Sequence, residues 1–115
     1  MCDRFTLRSS AEAVAEAFGL PEVPDFLPRF NIAPGQPVAV VWQKQQAQGR
    51  ELAFLRWGLI PAWADDPSLG DHLANVRSET AATKPSFRRA FHSRRCLVVA
   101  DGFYEWQRTN GHKQP

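Results

Sequence analysis

Five prolines between residues 21 and 37 constrain the first half of this chain more than any other feature. They are Pro21, Pro24, Pro28, Pro34 and Pro37. Proline donates no backbone hydrogen bond and disfavours helix at the residue before it, so this stretch predicts a structured loop. The β-branched and aromatic run 37–42 that follows predicts a strand, and residues 52–57 predict the returning strand after a polar turn.

The remaining segments predict further strands and only short helices. Ser9 or Ser10 can cap a helix that ends at Gly19, with Glu12 placed for a capping box. Strands or extended segments are expected over 73–80, 96–100 and 103–108, with one or two helical turns over 86–92. Strands without regular intervening helices argue against a parallel sheet. The predicted fold class is α+β, with a mainly antiparallel, strongly bent, barrel-like β core and peripheral helices.

The end of the chain carries the strongest hairpin signal. Asn110-Gly111 follows a clear strand, and this dipeptide is typical of a two-residue turn. Only four residues come after it in this chain of 115. The sequence therefore predicts a single domain, 1–115, that is incomplete, with its returning strand barely begun.

Composition excludes several functional classes. No apolar run reaches the roughly 18 residues of a membrane span, and no signal peptide begins the chain, so neither a membrane nor a secreted protein is expected. Two cysteines are too few for a disulfide scaffold or a four-ligand zinc site. The histidines at 72, 92 and 112 lack metal-ligand spacing, and no phosphate loop occurs. We expect no metal and no cofactor, and a reducing cytoplasm as the location.

Positive charge is concentrated in one short stretch. Five cations and no acid lie between residues 84 and 95, although the net charge of the chain is only +2. They are Lys84, Arg88, Arg89, Arg94 and Arg95. The rest of the chain is mildly acidic. This pattern fits either a polyanion partner or a solvated helix face.

Cys2 is the most reactive candidate. Removal of Met1 would leave an α-amine and a thiol on one residue, with ordinary pKa values of about 7.7–8.0 and about 8.5. Such an aminothiol condenses with aldehydes: the amine forms an imine and the thiolate closes a thiazolidine ring. The alternative is an incidental cysteine at a frayed terminus. Cys96, inside an apolar run, is expected to be an inert core residue.

Polar side chains alternate along two predicted strands. In an extended segment Asn75, Arg77 and Glu79 would share one face, which is either a site or a solvated surface. Glu105 lies between bulky aromatic residues, so partial desolvation would raise its pKa toward a general-acid range, unless it is exposed on an edge strand. Turns around Pro34 and Trp63 can stack on or wedge between unpaired bases, or belong to the core.

Five motifs together resemble one known family. They are Met1-Cys2-x-Arg4-Phe5, Asn31-Ile-Ala-Pro34-Gly35, Trp57-Gly-Leu-Ile-Pro61, Asn75-Val-Arg77-Ser-Glu79-Thr80 and Asp101-Gly-Phe-Tyr-Glu105-Trp106. In this order they resemble the SOS response-associated peptidase family, which senses abasic sites in single-stranded DNA and crosslinks to them. The resemblance spans nearly the whole chain.

The resemblance implies a role for each matching residue. Cys2 would attack the ring-opened abasic aldehyde and form a thiazolidine crosslink, after removal of Met1 by the protein itself. Asn75 would position Cys2 and the sugar, and Glu105 would be the acid and base. Arg4 and Arg77 would hold phosphates, while Pro34 and Trp63 would wedge and stack against the strand. The implied location is the DNA-containing cytoplasm, and the implied partner is single-stranded DNA with an abasic site.

Two differences from the family pattern are visible. Asp3 stands where the family usually has glycine, and a carboxylate there would repel DNA unless Arg4 or Arg77 pairs with it. The family domain also continues beyond this length, with a catalytic histidine that works with Glu105. Two other functions remain open: an N-terminal-nucleophile cysteine hydrolase, and a non-catalytic fragment that binds DNA through residues 84–95.

Overall fold

A computed structural model describes residues 1–43, 49–109 and 111–114 of the chain. Its elements are β1 (Phe5–Leu7), α1 (Ala11–Phe18), β2 (Arg29–Ile32), β3 (Pro37–Gln43), β4 (Arg50–Arg56), a 3₁₀ helix (Pro67–His72), α2 (Arg88–Ser93), β5 (Leu97–Val98), β6 (Gly102–Phe103), β7 (Gln107–Thr109) and β8 (His112–Gln114). Long loops connect several of these short elements.

Helix α1 begins after Ser10 and ends at Gly19 as the sequence predicts, but the expected capping box is not formed, because Glu12 is the second residue after this cap and not the third. The Ser10 hydroxyl accepts a hydrogen bond from the Ala13 amide at 3.1 Å, which satisfies one of the free donors of the first turn. Gly19 ends the helix in the left-handed region at φ 64°, where a side chain would be strained. The Leu20 amide then closes the turn on the Ala15 carbonyl at 2.8 Å.

Two three-stranded antiparallel sheets and one hairpin form the β structure. The first sheet has the order β2-β1-β6 and the second β4-β3-β5. Strands β3 and β4 pair along seven positions, from Pro37 opposite Arg56 to Gln43 opposite Arg50. Strands β7 and β8 pair around positions 110 and 111, so the predicted hairpin is confirmed. Asn110 itself lies outside the described residues.

The apolar core lies between the two larger sheets and α1. It includes Phe5, Leu7, Val14, Leu20, Ile32, Val38, Val40, Val41 and Leu52, all nearly inaccessible to solvent. Val14 brings the helix onto this core, while Phe5 and Val40 come from the two sheets. The Phe5 and Trp57 rings pack edge-on at 5.2 Å between centroids, an arrangement that aromatic rings favour. This ring contact fixes the first sheet against the chain that leaves β4.

The predicted α+β class is confirmed, but its barrel-like core is not. Among the described residues the strands form separate small sheets, because their edges do not pair into a closed ring. Within the same ranges, no helix is long and apolar enough to cross a membrane.

Several local predictions are wrong. The stretch 21–37, expected to be a loop, contains the strand β2 (Arg29–Ile32), because these residues pair with β1. Residues 73–80 contain no strand, since the chain turns after Arg77, whose carbonyl accepts from the amides of Thr80 and Ala81.

The segment around Cys96 also differs from its prediction. The strand expected over 96–100 is only Leu97–Val98, and both residues are exposed on the edge strand of their sheet. Cys96, expected in the core, is exposed as well. The strand expected over 103–108 is interrupted at residues 104–106.

Candidate functional site

The N-terminus places Cys2 just before strand β1. Met1 is 80% exposed, whereas Cys2 is half-buried, and the Cys2 thiol donates a weak hydrogen bond to the Arg4 carbonyl at 3.5 Å. While Met1 is attached, the Cys2 nitrogen is an amide and carries no nucleophilic lone pair. Cleavage of this exposed peptide bond would create the reactive aminothiol.

Asp3 and Arg4 do not neutralise each other through their side chains. The Arg4 guanidinium donates through Nη1 to the Asp3 backbone carbonyl at 2.8 Å. The Asp3 carboxylate oxygen Oδ1 is buried and has no hydrogen-bond partner within the described ranges. Nor does any described Arg, including Arg77, form an ion pair with it. The neutralising pair considered from sequence is therefore absent there, and the unpaired carboxylate belongs to the residue next to Cys2.

Trp57 connects three of the sequence motifs. Its ring contacts Phe5 of β1, and its backbone exchanges hydrogen bonds with the loop before β3: the Gly35 amide donates to the Trp57 carbonyl, and the Trp57 amide donates to Gln36. Its indole Nε1 donates to the Ala74 carbonyl at 2.9 Å. Sequence analysis treated this tryptophan only as part of a motif. Its bonding shows that it fixes the N-terminal strand, the Pro34 loop and the start of the Asn75 segment together.

Asn75 and Arg77 lie in the irregular segment that Trp57 holds. A second hydrogen bond, from the Leu59 amide to the Leu73 carbonyl at 3.0 Å, fixes the same segment. Asn75 is half-buried, whereas Arg77 and Glu79 are exposed. Because the chain turns after Arg77, the alternating face expected of a strand is not formed. Asn75 thus lies one residue from an anchored carbonyl, and the Arg77 side chain is open to solvent.

Glu105 follows the strand that pairs with β1. The Tyr104 amide donates to the Arg4 carbonyl at 2.9 Å, so Glu105 is next to a residue bonded to the N-terminal segment. The Tyr104 hydroxyl donates to the Phe30 carbonyl at 3.1 Å, which ties the same turn to β2. The Glu105 side chain is exposed. Of the two alternatives left open from sequence, the structure has the exposed Glu105, because the flanking aromatic residues Phe103 and Trp106 are themselves exposed.

Pro34 and Trp63 occupy two different turns. Pro34 is half-buried and precedes Gly35, whose φ of 86° suits glycine. Trp63 is 56% exposed and follows the buried Pro61, whose carbonyl accepts from the Ala64 amide at 3.0 Å. An exposed indole on a closed turn presents a flat stacking surface. The Pro34 loop connects to the rest of the site through Trp57, whereas no hydrogen bond or ring contact in the described ranges connects Trp63 or the Arg77 side chain to it.

Asp101 has a structural role that the sequence did not indicate. Its carboxylate accepts hydrogen bonds from the Ser9 hydroxyl at 2.6 Å, the Ser9 amide at 2.9 Å and the Arg8 amide. The Ser9 hydroxyl and these backbone N–H groups hold the pKa of the Asp101 carboxyl below its ordinary value. Asp101 therefore fixes the turn between β1 and α1 against the strand that leads to Glu105.

Within the described ranges, no group of three His, Cys, Asp or Glu side chains is arranged to hold a metal ion. Backbone hydrogen bonds and the contacts of Trp57 tie together the segments that carry Cys2, Asn75 and Glu105. Asn75 and Glu105 each lie one residue from such a bond, and Arg4 lies in the same segment as Cys2.

Comparison with known proteins gives one consistent result. The family model for SOS response associated peptidase (SRAP) matches residues 1–115. The chain is 43% identical over 112 residues to abasic site processing protein YoqW of Bacillus subtilis, covering 94% of this chain and 49% of that protein. It is 39% identical over 100 residues to HMCES of Xenopus tropicalis, another abasic site processing protein, covering 78% of this chain and 30% of that protein. With YedK of Escherichia coli, likewise named, identity is 33% over 121 residues, covering all of this chain and 52% of YedK. The chain thus spans about half the length of its bacterial relatives.

Proposed function

The chain belongs to the SOS response associated peptidase family, and from this premise we propose that it senses abasic sites in single-stranded DNA and crosslinks to them through Cys2. The relatives named above are abasic site processing proteins, which supports the substrate class. The structural observation that carries the proposal is the arrangement of Met1 and Cys2 at the N-terminus. Met1 is exposed and removable, and the thiol beside it is held at the end of β1.

The proposed reaction uses both nucleophiles of Cys2. After hydrolysis of the Met1–Cys2 bond, the free α-amine adds to the aldehyde carbon of the ring-opened abasic sugar. Loss of one water gives an imine. The thiolate then adds to the imine carbon while the nitrogen takes a proton, which closes a five-membered thiazolidine ring. No oxidant or reductant is consumed, and the crosslink retains all atoms except that water.

Asn75 and Glu105 are proposed to assist this reaction. Ring opening and imine formation both need proton transfer, and a carboxylate supplies it. Glu105 lies one residue beyond the Tyr104 amide, which is bonded to Arg4, so its backbone is fixed relative to Cys2. Asn75 lies one residue beyond the anchored Ala74 and can donate to the sugar through its amide. We also propose that the chain removes its own Met1, by hydrolysis of the Met1–Cys2 bond, which consumes one water and releases methionine.

Strand binding is assigned to the two arginines and the two turns. Arg77 is exposed and has no ion-pair partner in the described parts of the chain, so its guanidinium is available for phosphate. Arg4 lies two residues from the nucleophile and would hold a phosphate beside the lesion. Trp63 presents an exposed ring for base stacking, and Pro34 supplies the wedge. We propose that this takes place on DNA in a reducing cytoplasm, where the Cys2 thiol stays free.

The test compares the two cysteines of the chain. The Met1-free protein is mixed with a single-stranded oligonucleotide that contains one abasic site, and products are separated on a denaturing gel without reductant. Cys2→Ala should abolish the crosslinked band, whereas Cys96→Ala, which removes the other thiol, should still crosslink at saturating DNA. A band that survives Cys2→Ala would overturn the mechanism. Repeated turnover of amide substrates by the wild-type chain would instead support a hydrolase.

A further inference from the structure

A cavity of about 540 Å³ separates the β3–β4 hairpin from the segment that joins α2 to β5. Its apolar wall includes Trp42, Leu55 and Leu59, and its opposite side includes Arg94, Arg95 and Cys96. This volume lies within the range of sites that enclose small ligands. None of the residues that line it belongs to the proposed lesion site.

The two arginines of this cavity make no ion pair in the part of the chain that the structure describes. Among those residues no Asp or Glu lines the cavity, and neither Arg94 nor Arg95 forms an ion pair with a carboxylate. The Arg95 guanidinium lies over the Phe91 ring, 5.7 Å from its centroid, which limits its motion. Both arginines end the stretch 84–95, which contains five cations and no acid. Two cations without a partner at the edge of one cavity form a site for an anion.

The apolar side of the cavity combines a fixed aromatic ring with an exposed leucine. The Trp42 indole Nε1 donates to the Glu51 carboxylate at 2.8 Å across the β3–β4 pair, so the ring is held in place. Leu55 is 38% exposed, although leucine favours burial. A ligand that fits both sides needs a flat apolar group attached to a strong anion. A nucleotide has this combination: the base stacks on an indole or aliphatic surface, and guanidinium groups bind phosphate oxygens in pairs.

We propose that this cavity is a nucleotide subsite for the DNA strand, separate from the lesion site. The inference rests on the proposed function, since a strand bound for crosslinking would supply the phosphate-linked bases. Arg94 and Arg95 would bind one phosphate, and the adjoining base would lie against Trp42 and Leu55. The charge of the cavity favours this occupant over an apolar peptide, which would leave both arginines unpaired.

Cys96 provides a direct probe of occupancy. In the Cys2→Ala chain it is the only thiol, and partial burial raises its pKa, so alkylation is measured at mildly alkaline pH. The reagent is iodoacetamide, which is uncharged and therefore not repelled by DNA. Undamaged oligothymidylate at ten times its Kd should slow alkylation about tenfold if the strand fills the cavity. Fluorescence anisotropy of the labelled strand measures binding in parallel.

Two double variants distinguish binding of the strand in the cavity from the general attraction between arginines and DNA. Arg94→Gln with Arg95→Gln should remove the protection of Cys96 and reduce the salt slope of binding by about 0.7, the contribution of the one single-strand phosphate that the two arginines share. The matched control, Arg88→Gln with Arg89→Gln, changes two cations of helix α2, which ends just before Arg94, and neither of them lines the cavity. At saturating DNA, this control variant should still show protection of Cys96 from alkylation.

The outcomes distinguish this inference from the proposed function. Unchanged alkylation of Cys96 on strand that anisotropy shows to be bound would overturn the subsite and leave crosslinking unaffected. Protection that persists in the Arg94→Gln, Arg95→Gln variant would also overturn it. A protected Cys96 together with no crosslink by the Cys2-containing chain would support the subsite and refute the proposed function. Absence of any DNA binding would refute both.

Discussion

Replacement of Trp57 by phenylalanine tests whether this residue holds the site together. The smaller ring can still contact Phe5, but the hydrogen bond from Nε1 to the Ala74 carbonyl is lost. A neutral hydrogen bond contributes about 1 kcal/mol to stability. Leaving the half-buried Ala74 carbonyl unpaired adds part of the roughly 1–3 kcal/mol that a fully buried, unpaired carbonyl costs. We therefore expect Trp57→Phe to reduce the free energy of unfolding by about 1–2 kcal/mol. Each lost kcal/mol should lower Tm by roughly 4–8 °C.

The assay is urea unfolding followed by circular dichroism, with crosslinking measured separately below the transition. Because Ala74 precedes Asn75, the crosslinking rate of Trp57→Phe should fall more than its unfolded fraction explains. Trp63→Phe is the matched control: that ring is 56% exposed, so stability should change by less than about 0.5 kcal/mol. If Trp57→Phe has the stability and the crosslinking rate of the wild type, the inferred role of Trp57 is refuted.

Three further predictions concern backbone space, pH and charge. Gly58→Ala should destabilise the chain by about 1–3 kcal/mol in urea unfolding, because φ is 124° and the new Cβ would overlap the Gly70 carbonyl oxygen. The hydrogen bonds from Ser9 lower the pKa of Asp101 in the folded chain, so its contribution to stability should be present above the ordinary pKa of 3.8 and lost as pH falls through the lower folded value. In unfolding curves measured at a series of pH values, Asp101→Asn should abolish this loss of stability in acid. Asp3→Asn should tighten binding of undamaged single-stranded DNA about two- to fivefold at low salt, since removing a charge near phosphate is worth up to about 1 kcal/mol.

Each of these has a control in the same chain. A Cβ on Gly58 would overlap the Gly70 carbonyl oxygen, whereas a Cβ on Gly35 would meet nothing within 4 Å. Gly35→Ala should therefore be destabilised only by its positive φ. Asp25→Asn changes a carboxylate that makes no hydrogen bond within the described ranges, so the loss of stability in acid should stay as in the wild type. The advantage of Asp3→Asn should shrink in high salt, because salt screens the repulsion between Asp3 and a solvent-exposed phosphate. An advantage that is independent of salt would refute the electrostatic explanation.

Local signals in the sequence predicted the elements that depend on local interactions. The Ser10 cap, the Gly19 stop, the β3–β4 pair and the hairpin at 110–111 all follow from side-chain and backbone preferences of neighbouring residues. The family resemblance is confirmed by the match over residues 1–115. These features need no knowledge of the rest of the fold.

The errors arose where distant contacts decide the structure. Alternation predicted a strand through Asn75, but two hydrogen bonds from the Trp57–Leu59 segment hold the chain in an irregular path instead. The apolar run around Cys96 predicted burial, although an apolar run is buried only where another element covers it. The roles of Trp57 and Asp101 depend on partners far along the chain, which spacing alone does not reveal.

The most direct test of the central claim is the intact mass of the product. The Met1-free chain is incubated without reductant with single-stranded DNA that contains one abasic site, and the mixture is weighed alongside the form that retains Met1. The proposal predicts one adduct at the mass of chain plus DNA minus one water, only from the Met1-free form and only on damaged DNA. An adduct formed equally by the Met1-retaining chain, whose Cys2 nitrogen is an amide, would contradict the proposed chemistry. A folded, Met1-free chain that forms no adduct would contradict the claim that this chain crosslinks abasic sites.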